Sequence, residues 1–325
     1  MHAGQATNNT TPATMMALRA HSRGGPEVLV YEEAPRPHPG PGEISVAVRA
    51  AAITFAELTW PETWQSHGVD RTPIIPSHEF AGVVAEVGRD VTDFAVGDSV
   101  FGLVPFDRDG AAAELVVVPA TSVAAKAATV SDADAAAAVL PALTAWEALR
   151  DRVNLAAGQR LLVRGATGGV GAFLTQFAHG IGAEVTAIVT SASGEARAKL
   201  LGADHVLVIA RGSEPSDLAG FDAAIDAAGA DVPEWMYAAL HPGGQLIVLQ
   251  EPPNQTLADT YGVIATFFVV STRRERLGEL ADLLAAGDIQ VAIAETFPLS
   301  NGKAAYESGS SPKPAPGKTV ILVSS

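Results

Sequence analysis

The sequence contains no cysteine. A disulfide framework, a thiolate nucleophile and a cysteine-ligated zinc are therefore all excluded. Basic residues are also scarce, 21 Lys and Arg against 36 Asp and Glu, for a net charge of −15. A surface that acidic repels phosphate backbones and anionic lipid headgroups, so neither nucleic acid nor a membrane is expected as a partner. No run of about 18 consecutive apolar residues occurs, and the N-terminus lacks a basic segment leading into an apolar one. We expect a soluble, cytoplasmic protein. With 325 residues, 48% hydrophobic and 18% charged, the chain is too apolar to stay disordered and long enough for two domains.

The polar residues 1–15 read as a flexible leader. From Ala17 to about Lys126 short strands alternate with Gly and Pro. Ile44 to Ala50 shows period-2 alternation, whereas Arg36-Pro37-His38-Pro39-Gly40-Pro41-Gly42 cannot donate to a ladder and must be loop. At Ser131 an N-cap opens an alanine-rich helix that should break at Pro141 and resume from Leu143 to Arg150. From Arg160 onward, apolar strands alternate with helices. Leu161–Val163, Val185–Val189, Val206–Ile209, Ala223–Ile225, Leu246–Leu249 and Ile264–Val270 are the strands, a pattern that predicts a doubly wound parallel sheet. After a helix over Arg274–Ala286, strands return at Val291–Phe297 and Thr319–Val323. This assigns residues 16–138 and 287–325 to a mostly-β domain and 139–286 to an α/β domain.

Between the first α/β strand and its helix lies Gly165-Ala166-Thr167-Gly168-Gly169-Val170-Gly171, a dinucleotide fingerprint in which Ala166 replaces the first glycine. Glycines there let backbone approach a pyrophosphate resting on the helix N-terminus. An acid after the second strand would hold the ribose 2′-OH of NAD; this chain has Thr190, Ser191 and Ser193 instead, which favours NADPH. Arg197 and Lys199 follow, either as 2′-phosphate contacts or as solvated helix charges.

These motifs together resemble one family, from about Ala17 to Val323. Gly25-Pro26-Glu27-Val28-Leu29, Pro76-Ser77-His78-Glu79-Phe80-Ala81-Gly82, Val96-Gly97-Asp98-Ser99-Val100, Leu143-Thr144-Ala145, the glycine loop, Gly202-Ala203-Asp204, Pro242-Gly243-Gly244 and Gly317-Lys318 occur in its order. The chain resembles the zinc-independent medium-chain dehydrogenase/reductases, in the branch of NADPH:quinone oxidoreductases and enoyl reductases. The resemblance implies a GroES-like β domain, a Rossmann domain and a cleft between them. It implies that Thr144 and the backbone of Gly168 to Gly171 touch phosphates and ribose, that Ala227, Ala228 and Gly229 run along the cofactor, and that backbone near Phe268 and Val270 holds the carboxamide. Thr54 and Glu57 stand where many members have Asn and Asp, and a basic residue often found near Gly194 is missing.

In zinc-dependent relatives the histidine of the His78-Glu79 pair binds metal with two cysteines, which this chain does not have. No metal is expected; His78 reads as a buried, hydrogen-bonded residue, the alternative being a makeshift site with Glu57 and His67. Conjugate addition of hydride to an enone or quinone needs orientation and a place for charge on oxygen, so an activated alkene is the better expected substrate. Glu57 would donate a proton if burial raised its pKa, or water would do so instead; Tyr261 is a further candidate as a loop phenol. Trp60 and Trp64 line a pocket or form a local packing cluster. Asp107 and Arg108 anchor substrate or form a solvated pair. Two other readings stay open: a tailoring enoyl reductase with a narrow natural-product substrate, and a non-catalytic dinucleotide-binding sensor or scaffold. Finally, Val263 to Val270 reads as an unprotected apolar edge strand, which predicts a homodimer through Ile264 to Val270 unless the chain's own tail caps it.

Overall fold

The computed structural model describes residues 12–210, 212–215, 217–229, 231–310 and 316–324. Most of the expected leader, residues 1–11, lies outside these. Thr14 and Met15 do not belong to a leader: they begin strand β1 (Thr14–Ala20), which pairs antiparallel with β2 (Leu29–Pro35) and buries Met15 against the β core.

The central strand of the first half is β3 (Glu43–Ile53). Past Ala50 both of its faces are covered, and successive residues enter two different cores. Ala51 and Ile53 join the interior of the β domain with Ile44 and Phe80, whereas Ala50 and Ala52 pack toward a helix together with Ala81. Alanines on that face let the helix lie close to the sheet. Helix α1 (Pro61–Trp64) and a small hairpin, β4 (Gln65–Ser66) with β5 (Val69–Asp70), follow. Next come β6 (Glu79–Val87), β7 (Ser99–Leu103), β8 (Leu115–Pro119) and β9 (Val123–Ala125).

The helix covering the sheet is α2 (Asp132–Trp146), capped by Ser131, whose side chain accepts from the Asp134 amide. It does not break at Pro141. Pro141 removes only one amide donor, the one that would reach the Ala137 carbonyl, and nearly every residue from Ala135 to Ala145 is buried. Tertiary burial thus overrides the local cost of proline. A π-helical turn, Glu147–Arg152, ends this segment.

The second half is a parallel sheet of β10 (Arg160–Arg164), β11 (Glu184–Val189), β12 (His205–Val208), β13 (Phe221–Asp226), β14 (Leu240–Val248) and β15 (Ile264–Phe267). Its order, β12-β11-β10-β13-β14-β15, is that of a Rossmann domain, with the direction of winding reversing between β10 and β13. Helices α3 (Gly169–Ile181), α4 (Ala192–Leu200), α5 (Glu234–Ala238) and α6 (Gln255–Tyr261) connect these strands, and α7 (Arg274–Ala286) follows β15. β15 lies at the edge as expected but ends at Phe267, so Phe268 to Val270 follow it as irregular chain.

The tail returns to the first sheet. β16 (Ile293–Pro298) pairs with β17 (Lys318–Leu322), which pairs antiparallel with β3, giving the order β16-β17-β3-β6-β7-β9, with β8 also on β3. Between them, α8 (Gly302–Glu307) packs its Tyr306 into the β core.

Candidate functional site

The glycine loop leaves the C-terminal end of β10 at the reversal point of the sheet. Gly165 has φ +76°, a left-handed backbone, and a Cβ there would sit 3.0 Å from Ala227 and Ala228 at the end of β13. At Gly171 a Cβ would lie 2.0 Å from the Gly165 carbonyl oxygen. Only backbone fits in this cradle, and no side chain caps the α3 N-terminus at Gly168. The first amides of α3 are thereby left for an anion, which is the geometry that a dinucleotide pyrophosphate requires. The structure thus brings Gly165, Thr167, Gly168, Gly169, Val170 and Gly171 beside Ala227, Ala228 and Gly229. After β11, Thr190, Ser191 and Ser193 are exposed. Ser191 also caps α4, accepting from the Gly194 amide, and its hydroxyl is 3.0 Å from that of Ser193. The Arg197 Nε is buried without a hydrogen-bond partner. Phe268 is buried, with the Arg152 guanidinium 4.9 Å from its ring centroid, and Val270 packs on the same core.

Opposite the cradle the β domain contributes a buried polar centre from three distant segments. Glu79 accepts from the Thr54 hydroxyl at 3.1 Å, from the Lys318 ammonium at 2.5 Å and from the Leu140 amide at 3.2 Å. Lys318 also donates to Thr54 at 3.0 Å, and its stem lies 3.8 Å from where a Cβ on Gly169 would be. The ammonium is held in the β domain while the stem of the side chain passes beside the first turn of α3. Burial raises the Glu79 pKa, opposed by Lys318.

Glu57 is 1% exposed. One of its carboxylate oxygens accepts from the Tyr306 hydroxyl at 2.6 Å and the other from the Ser77 amide at 2.9 Å. Ser77 has φ +70°, which stores strain in a non-glycine residue and aims its amide at the carboxylate. Burial pushes the Glu57 pKa up to about 7, with the Tyr306 and Ser77 bonds acting in the opposite direction. His78 Nε2 is 3.8 Å from a Glu57 carboxylate oxygen, and the backbone of Val104 and Pro105 lies against the buried ring as hydrogen-bonding partners that favour its charged form. Burial and then Arg71 lower its pKa to about 4, so the imidazole is neutral near pH 7.

The remaining candidates divide. Trp60 meets Phe106 edge to face at 5.3 Å, and Phe106 meets His78 in the same way at 5.1 Å, which puts Trp60 beside the polar centre. Trp64 is a packing residue: it is 2% exposed in the β core and donates to the Leu58 carbonyl. Asp107 accepts from Ser66, and Arg108 pairs with Glu43 at 2.7 Å, so the two do not pair with each other. Both line a cavity of the β domain that Arg19 and Arg71 also border, and the charges of Arg71 and Asp107 act on His78. Tyr261 ends α6 rather than sitting in a loop, and its hydroxyl donates to the exposed Glu234 of α5 at the surface of the cofactor domain while its ring packs on the core around α5 and α6. Tyr306 and Lys318 had no role in the sequence reading. Gly317-Lys318 was visible as a motif, but nothing local marks Tyr306.

A metal does not fit this centre. The chain has no thiolate, His67 is exposed, and the carboxylates near His78 are engaged by Ser77, Tyr306, Thr54, Lys318 and Leu140. Among the described residues, no three His, Asp or Glu are grouped to hold an ion. A nicotinamide dinucleotide fits the cradle.

Comparison with known proteins agrees with this architecture. Residues 40–128 match the alcohol dehydrogenase GroES-like domain and residues 201–321 match the zinc-binding dehydrogenase domain. The mitochondrial NAD(P)H oxidoreductase RTN4IP1 of Homo sapiens is 30% identical, over 87% of this chain and 82% of that protein. The chain belongs to the medium-chain dehydrogenase/reductases. Within this family, its relatives include a quinone oxidoreductase and acrylate-type reductases, and solved alcohol dehydrogenases superpose with it as well. The acryloyl-coenzyme A reductase of Metallosphaera sedula is 28% identical over 90% of this chain and 95% of that protein. The structure of Escherichia coli quinone oxidoreductase complexed with NADPH superposes with a TM-score of 0.83 at 26% identity, over 94% of this chain and 99% of that one. The chain is thus a medium-chain oxidoreductase with a cradle for a nicotinamide cofactor. No described helix is long and apolar enough to cross a membrane.

Proposed function

We propose that this medium-chain oxidoreductase is an NADPH-dependent reductase of quinones or α,β-unsaturated carbonyls. The observation that carries the reading is Lys318, which spans from the Thr54–Glu79 pair to the first turn of the glycine-loop helix. The cofactor, when bound, supplies a hydride. The amides at the start of α3 bind phosphate, and the Lys318 cation beside them adds charge while Glu79 fixes its direction. The Ser191 and Ser193 hydroxyls leave room for a 2′-phosphate where an acid would repel it. Thr54 and Glu57 hold the polar side of the cleft, and Trp60 with Phe106 gives it an apolar wall that excludes water from a flat, conjugated substrate. Glu57, ionising near neutrality, is the buried acid of the centre. Two copies pair along Ile264 to Val270, where Ile264 on the edge strand β15 and Val269 in the irregular chain after it are each more than half exposed.

Purified protein assayed for NADPH oxidation against 2-cyclohexen-1-one, 1,4-benzoquinone and related compounds tests the reading. Turnover supports it. Quenching of tryptophan fluorescence by NADPH with no turnover on any compound would instead favour a binding protein without catalysis.

A further inference from the structure

Where α2 ends, the chain winds into the π-helical turn, and the Val153 amide bonds back to the Ala148 carbonyl at 2.9 Å, five residues away. In an α-helix a residue five positions on points about 140° away from the first. The wider winding brings Arg152 back over Glu147, and the two pair: the guanidinium donates to one Glu147 oxygen from Nη2 at 2.6 Å and from Nε at 3.2 Å. The Glu147 side chain is 6% exposed and that of Arg152 44%, so the pair stands at the border of the core.

Both residues also hold the chain that leaves β15. The second Glu147 oxygen accepts from the Ser271 amide at 3.3 Å, and the Arg152 guanidinium lies 4.9 Å from the centroid of the Phe268 ring. Asp151, in the same turn, pairs with Arg276 at 2.9 Å and with Arg273 at 3.6 Å, at the start of α7. The β14–β15 ladder ends with Val248 opposite Phe267, so among the described residues no strand fixes Phe268 to Ser271, and the π turn grips that segment at both ends. A Rossmann sheet binds a dinucleotide across its reversal point, one mononucleotide to each half, outside the carboxyl ends of the strands. Here the reversal lies between β10 and β13. Thr190, Ser191 and Ser193 follow β11, on the half that takes the 2′-phosphate in the reading above. The nicotinamide end then falls to the other half, where β15 continues into Phe268 to Ser271. Phe268 is 7% exposed with its ring in the core, so what the segment offers a ligand is its backbone.

We propose that Glu147 and Arg152 are positioning residues for the nicotinamide end of the cofactor, acting through the Phe268–Ser271 backbone that they hold. The inference rests on the NADPH reading above. Released from the turn, a short segment at a sheet edge samples several conformations, and a ligand that fits one of them loses affinity in proportion to the fraction that remains. The amides of the glycine loop and the hydroxyls after β11 stand on other elements, so the effect is confined to one end of the ligand.

Calorimetric titration with two ligands tests this: NADPH, and ADP-ribose 2′-phosphate, which lacks only the nicotinamide. Unmutated protein should bind NADPH about tenfold or more tightly than the fragment, and the variants should lose that margin. In Arg152→Gln and in Glu147→Gln the Kd for NADPH should rise about tenfold, as for a segment left competent about one-tenth of the time, while the Kd for the fragment stays unchanged. Arg152→Lys keeps a cation for Glu147 but not the planar guanidinium on Phe268, and it should fall between. A rise shared equally by both ligands would show that the turn only supports the fold, and unchanged NADPH affinity would show that the segment keeps its shape without the turn; either overturns the proposal. Should Glu147→Gln fail to fold, Arg152→Gln still decides. Failure of unmutated protein to bind NADPH defeats the cofactor reading and this inference together, whereas the selective loss of NADPH affinity without turnover on any enone or quinone defeats the reductase reading alone.

Discussion

Replacing Tyr306 with Phe isolates one hydrogen bond to a buried carboxyl. Glu57 has a folded pKa of about 7 against 4.5 for the free group. Its folded pKa is raised, so the stability linked to its proton is fully present below 4.5 and is lost as pH rises through 7. Over that window the unfolded chain releases a proton that the folded chain keeps. The loss amounts to about 3 kcal/mol. The Tyr306 hydroxyl, donating at 2.6 Å, favours the charged form, as does the Ser77 amide; Glu79 opposes the charge and Lys318 favours it. Removing the hydroxyl leaves the other three groups in place and raises the Glu57 pKa further. A bond to a neutral carboxyl contributes about 1 kcal/mol and one to a charged carboxylate about 1.5–3 kcal/mol, so Tyr306→Phe should cost about 1 kcal/mol at pH 5.5 and two to three times that at pH 8.5. Urea unfolding followed by circular dichroism at the two pH values measures both. Equal losses at the two values, or a larger loss in acid, would refute the assignment of this bond to an ionising carboxyl.

Ser191→Asp keeps a good N-cap on α4 while adding charge where a 2′-phosphate would lie, so the ratio of kcat/KM for NADPH over NADH should fall about tenfold or more; an unchanged ratio removes Ser191 from the phosphate site. Gly171→Ala forces a methyl to within 2.0 Å of the Gly165 oxygen and should abolish NADPH quenching of tryptophan fluorescence, with about 1–3 kcal/mol of lost stability. Lys318→Met leaves the Glu79 carboxylate buried without its cation and should cost about 3–5 kcal/mol in urea unfolding; adding Glu79→Gln should restore much of that, and strictly additive losses would show the pair is uncoupled. Sedimentation at micromolar concentration should give a dimer, and a mass of 33.4 kDa that does not change with concentration would show that the Ile264 edge is covered within one chain.

What could be read from the sequence is what depends on near neighbours. The glycine loop is a local demand on backbone, and its glycines report it: Gly165 for a left-handed turn, Gly171 for close packing. Ser131 announces its cap for the same reason. Where tertiary contact decides, the same reasoning fails. Pro141 signals a break, yet the core that α2 is buried in holds the helix together. Trp64 sits in a polar stretch that hides its burial, because its indole finds the Leu58 carbonyl six residues back. Tyr261 precedes the edge strand, but α6 turns its hydroxyl to Glu234.

The polar centre was beyond such reading because its partners are set by strand register. β3 is the common neighbour: Ala52 lies opposite Glu79 of β6, and Ile53 lies opposite Thr319 of β17. Those two pairings alone put Thr54, just past Ile53, against both Glu79 and Lys318, residues 25 and 264 positions away. Side chains alternate across a sheet, so sliding β17 by one residue would turn the Lys318 side chain to the opposite face and leave Glu79 buried without a cation. Val320 and Ile321 are both fully buried, Val320 in the core under α2 and Ile321 in the β interior, so a slip would only exchange one apolar residue for another in each core. What opposes the slip is the charge: the Lys318–Glu79 pair exists in this register alone, and a buried carboxylate without its cation costs about 3–5 kcal/mol.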